Sequence, residues 1–97
     1  MEMEEKICKA IHEKKLLGFY YQGHYRIVEP HIYGISVDDR QLLGYQVAGK
    51  SANDKILSWR RFKLSEIHYL KVRSRKFAGA RQSGEPKAWE RYIAIVE

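Results

Sequence analysis

The chemistry on offer in this chain is cationic and aromatic. Arg26 shares a strand face with Val28, and Arg60 shares one with Phe62 and Leu64, because extended side chains alternate with a period of two. Both guanidinium groups are therefore in phase with residues that should face a core. An unpaired charge cannot stay buried, so each arginine must lie at a barrel mouth, meet a carboxylate such as Glu29 or Asp38, or meet a ligand anion. Arginine's planar fork suits two-pronged contacts to phosphate, and Tyr21, His31 or Tyr33 would offer a surface on which a base can stack. Trp59 falls in phase with Arg61 and Lys63 on the expected outer face, where an exposed ring flanked by bases suits a single strand or a partner protein.

The distribution of charge points the same way. The 97 residues carry a net charge of +6. From Met1 to Lys15 four acids meet four lysines, whereas from Arg60 to Lys76 seven bases face Glu66 alone, so the whole excess belongs to that one stretch. Such a segment steers polyanions from solution over about a Debye length, ~8 Å at physiological salt. A solvated basic face with no ligand is the competing explanation.

Other chemistry lacks a pattern. His12, His24, His31 and His68 show no metal-ligand spacing, and Cys8 neighbours an apolar helical stripe, the usual setting of a small buried hydrophobe. A single cysteine supplies neither an intramolecular disulfide nor a zinc cage. Phosphate-binding glycine loops, nucleophile elbows and dinucleotide fingerprints are missing, so no cofactor is expected. One enzyme class survives, the small metal-independent ribonuclease, which needs only Arg, Lys, His or Tyr to activate a 2′-hydroxyl and stabilise phosphorane charge. No apolar run approaches the ~18 residues of a membrane span and the acidic start is unlike a signal peptide, so a soluble cytoplasmic protein with no membrane partner is expected.

The elements expected to position these groups form one mostly β domain over residues 1–97. Met3, Ile7, Ala10 and Ile11 fall at helical spacing and predict an amphipathic helix over about residues 4–15. Strands follow over Leu16–Tyr21, Tyr25–Pro30, Ile32–Val37, Gln41–Ala48 and Ile56–Leu64, then a brief turn and a strand within Ser65 to Val72 and a last one over Trp89–Val96, so that the barrel covers about residues 16–96. Gln22-Gly23-His24, Asp38-Asp39 and Asn53-Asp54 supply turns. Pro30 should end its strand or sit on an edge, because it cannot donate to a ladder. Phe77 to Ala88 reads as an irregular crossing segment. Phe19, Phe62 and Trp89 are expected in the core. Short antiparallel strands at regular spacing after one helix predict a small barrel, whose closure would remove exposed edges.

Several stretches together carry a family resemblance. The helix ending Lys9-Ala10-Ile11 precedes Leu17-Gly18-Phe19-Tyr20-Tyr21; Tyr25-Arg26-Ile27-Val28-Glu29-Pro30-His31 follows; Gln41-Leu42-Leu43-Gly44-Tyr45 then leads to Trp59-Arg60-Arg61-Phe62-Lys63-Leu64-Ser65-Glu66-Ile67. This order resembles a WYL domain, in the short stand-alone bacterial form without a helix-turn-helix, over about residues 6–78. The family's Trp-Tyr-Leu triplet falls on Gln41-Leu42-Leu43, and Glu66 stands where the family usually has a base.

The resemblance implies an Sm-like antiparallel β-barrel, a variant of the Src-homology-3 type, with an N-terminal α-helix. It also implies a non-catalytic regulatory sensor of nucleic acid or a nucleotide-like anion, with Tyr21, Arg26, His31 and Arg60 as binding residues, joined by Tyr33, Arg61 and Lys63. The runner-up readings are a protein-interaction or self-associating barrel using Trp59 and a strand edge, and the ribonuclease.

Overall fold

The computed structural model describes residues 2–36, 39–49, 58–80, 89 and 91–97. Helix α1 (Glu2–Glu13) buries Ile7, Ala10 and Ile11 completely, with Met3 and Cys8 packed at the margin of the same stripe. Full burial of a side chain such as Ile7 contributes about 1.5–3 kcal/mol. The helix begins two residues earlier than its periodicity predicts and stops at Lys14, whose φ of 57° breaks the helical run and turns the chain directly into β1 (Lys15–Tyr21).

In β1 the alternation holds. Leu17, Phe19 and Tyr21 face the core, and Tyr20 faces out. Gln22 and Gly23 both adopt positive φ, 53° and 81°, the mirror-image geometry whose twist matches a two-residue hairpin, and Tyr21 pairs with His24 across it. The next two expected strands are one, β2 (His24–Ser36). Pro30 does not end it. β1 pairs with β2 through Val28 and β6 (Arg91–Ile95) takes over from Ile32, so Pro30 sits between the two ladders, beside a register shift against β3 (Asp39–Gly49). A residue without an N–H is tolerated at such a bulge.

Asp39, expected in a turn, is the first residue of β3, and Gly49, expected in a loop, is its last. β4 spans Ser58–Lys63, and a single 3-10 turn (Leu64–Glu66) leads into β5 (Ile67–Lys76), which is longer than predicted. The Asn53-Asp54 turn, Val37, Asp38 and most of the crossing segment lie outside the described residues. Trp89 is only half-buried and stands apart from the core cluster, contrary to expectation.

The antiparallel sheet has the order β4-β3-β2-β1-β5, with β6 beside β2. Closure is not seen: among the described residues no ladder joins β4 to β5. The sheet is nevertheless strongly curled. β4 and β1 are three places apart, about 14 Å in a flat sheet, yet the Phe62 ring meets those of Phe19 and Tyr21 edge-on, with centroids 5.0 and 4.9 Å apart. The Lys63 amide also donates to Tyr21 Oη at 3.1 Å. The basic stretch from Arg60 to Lys76 therefore occupies both ends of the sheet path, where charged side chains discourage pairing with other chains.

Candidate functional site

Arg26 projects into the curl. The residue is 2% exposed, and its guanidinium carbon lies 5.4 Å from the Tyr21 ring centre and 5.8 Å from that of Phe62. Nη1 donates to Gln46 Oε1 at 3.5 Å, the outer limit of a hydrogen bond, while buried Nε and Nη2 meet no hydrogen-bond partner among the described residues. Burial first, and the nearby Arg60 charge second, lower the Arg26 pKa below its ordinary value. Arg60 reaches this position because β4 pairs with β3 at Gly44, on the same face as Leu42 and Phe62. Two like charges thus stand on one face of the sheet, with Arg26 against the Tyr21 and Phe62 rings, an arrangement that an anion between them would relieve.

The other predicted site residues are not gathered here. A register shift between Pro30 and Ile32 inserts His31 into β2 and reverses the alternation beyond it. His31 is fully buried on the opposite face, with Nε2 3.1 Å from Glu29 Oε1 and its ring packed against Trp59 and Phe77 at 4.8 and 5.4 Å. The expected exposure of Trp59 is accordingly not found, since His31 and Tyr45 half-cover it. Arg61 lies over the Trp89 ring at 4.5 Å, and Lys63 Nζ is 3.9 Å from Asp39. Glu29, a possible partner for Arg26 in the sequence, faces His31 instead.

Tyr33 is in the core at the far end, where its hydroxyl donates to the Glu4 carboxylate and accepts from Arg40 Nη1 at 3.2 Å. Burial, then the bond to Glu4, pushes its pKa up to about 12. The unfolded chain would ionise this phenol near ~10, so the folded state holds the proton more tightly. Its contribution to stability is complete below that pH and disappears as pH rises through about 12. Denaturation midpoints followed from pH 8 upward should therefore fall less steeply in Tyr33→Phe than in the wild type.

A second feature was legible in the sequence only as charge. A cavity of about 600 Å³ opens on the outer face, lined by Lys71, Arg73, Arg75 and Lys76 of β5. Apolar Leu16, Ile27 and Phe77 complete much of its wall, and Glu29 also lines it. Beside it stand three tyrosines, with Tyr20 centred 5.1 Å from Tyr25 and 6.1 Å from Tyr69. The expected alternation of β5 fails here. Tyr20 pairs with His68 and Gly18 with Lys71, so Tyr69 and Leu70 together oppose Phe19 in a bulge. Leu70 is buried, whereas Tyr69 is 82% exposed at a φ of 57°, a conformation that costs a non-glycine residue roughly 1–3 kcal/mol. A Cβ on Gly18 would collide with Tyr25 Oη, so a larger residue there would push that tyrosine ring aside.

The chain matches no known protein family, and no curated protein or solved structure matches it. Among the described residues no cluster of three or more His, Cys, Asp or Glu side chains is placed to hold a metal ion, and no helix is long and apolar enough to cross a membrane. Burial, followed by the Glu4 charge, raises the Cys8 thiol pKa and disfavours the reactive thiolate.

Proposed function

We propose that this protein is a non-catalytic regulatory module, a WYL-like domain built as an incompletely paired Sm-like barrel, that binds a nucleic-acid segment or nucleotide-like anion between Arg26 and Arg60. The observation that carries the reading is the Arg26 guanidinium, nearly inaccessible, repelled by Arg60 and bonded only weakly to Gln46. Folding gains little from such a group, whereas a phosphate would use its two idle N–H positions in charge-assisted bonds. The strand order, the single 3-10 turn before β5 and the meeting of β4 with β1 across the core support the barrel assignment.

His31 does not stand beside Arg26 as a proton carrier, because it is buried on the other face against Glu29. Pairing of copies through the strand edges is opposed by the concentration of cations on β4 and β5. The test is to titrate labelled single-stranded DNA, RNA and mononucleotides with wild-type and Arg26→Met protein at two salt concentrations. Mononucleotide affinity that falls with salt and drops at least ~10-fold in the variant is the expected result. Mononucleotide affinity unchanged in Arg26→Met contradicts the site.

A further inference from the structure

We propose that the outer face of β1 and β5 is a second surface, one that binds single-stranded nucleic acid by stacking bases on Tyr20 and Tyr69 and seating phosphates along the β5 cations. The inference starts from the bulge. A register shift alone would let the chain bury or hide the extra side chain, but here it holds an aromatic ring in left-handed backbone geometry and presents it to solvent beside Tyr20, itself 45% exposed. Bulges re-aim side chains at functional surfaces, and neighbouring exposed rings are what successive bases stack upon.

The surface is continuous with the cavity. Arg73 Nη1 donates to Tyr25 Oη at 3.1 Å, and Arg73 is also part of the cavity lining. Its apolar wall accepts the face of a base, and Lys71, Arg75 and Lys76 lie along the same strand as the tyrosine bulge. From Tyr69 to Arg73 an extended chain covers about 13 Å, enough for a few nucleotides.

This surface does not depend on Arg26, and the experiment keeps the two apart. Fluorescein-labelled dT10 and U10 are titrated by anisotropy against wild type, Tyr69→Gly, Tyr20→Ala and Arg73→Ala, and against the same three substitutions in an Arg26→Met background. In both backgrounds Tyr69→Gly should weaken binding at least ~5-fold, while its denaturation midpoint holds or rises because glycine accepts the backbone geometry without strain. Arg73→Ala should flatten the dependence of log affinity on log salt by about 0.7. Decamer affinity insensitive to both tyrosine substitutions overturns the proposal, as does binding that disappears altogether in Arg26→Met. Salt-dependent affinity that responds to Arg73→Ala but not to Tyr69→Gly also overturns it, and points to an acidic protein partner.

Discussion

Arg26→Met should make the protein more stable and at the same time weaken anion binding between Arg26 and Arg60 at least ~10-fold. The arginine side chain is 2% exposed, and two of its three nitrogens have no hydrogen-bond partner among the described residues. Folding therefore strips water from a cation and returns a marginal contact with Gln46 and two ring contacts at 5.4 and 5.8 Å. Methionine is of similar length, packs against the same Tyr21 and Phe62 rings, and carries no charge for Arg60 to repel. Exchanging poorly compensated buried charge for a well-packed apolar group stabilises proteins by about 1–4 kcal/mol. Part of that gain is offset by the lost cation–ring attraction, worth ~0.5–2 kcal/mol, leaving an expected gain of about 1–2 kcal/mol. Binding moves the other way. Each hydrogen bond to a charged group contributes about 1.5–3 kcal/mol, so loss of the fork should weaken a phosphate ligand at least ~10-fold. A residue retained for packing would fail both halves, losing stability on substitution and leaving affinity intact.

The largest loss of stability is expected for Phe62→Ala. Phe62 is 1% exposed and stands where the curl of the sheet closes over the core, edge-on to Phe19 and Tyr21 and beneath Arg26. Removing a buried phenyl ring costs ~3–5 kcal/mol through lost transfer energy and the cavity left behind. A domain this size shifts its melting temperature by ~4–8 °C per kcal/mol, so calorimetry should register a fall of roughly 15–30 °C. Phe62→Leu, which keeps most of the volume, should lie between that value and the wild type. A small effect of Phe62→Ala would mean that β4 is not fastened to β1 as described.

The contrast between these residues and His31 shows what periodicity can reveal. The helical stripe, the alternation of Leu17, Phe19 and Tyr21, and the phase of Arg26 with Val28 are all local regularities of two or three-and-a-half residues, and the structure follows them. The errors arise where one extra residue enters a ladder. At His31 the extra residue leaves the ring beside Glu29, on the face opposite Arg26 that alternation already gives it, and turns Tyr33 to the core side; at Tyr69 it exposes a residue that alternation paired with buried Ile67. A bulge leaves no compositional mark, because it is set by which neighbouring strand ends where. Pro30 differs from expectation for a related reason, since its missing N–H alone does not reveal that two ladders meet at that point. The cluster of bases from Arg60 to Lys76 is visible as charge, whereas its division between Arg60 beside Arg26 and a cavity beside β5 follows only from the curl of the sheet.

The central claim is that Arg26 waits, buried and underused, for an anion. Its side-chain Nε–H resonance in a ¹⁵N-labelled sample reports on that group directly. Addition of a saturating mononucleotide should shift this signal strongly and slow its exchange with water, together with changes at Arg60 and at the Lys63 amide that holds Tyr21. A mononucleotide that binds while the Arg26 resonance stays where it was in the free protein contradicts the account.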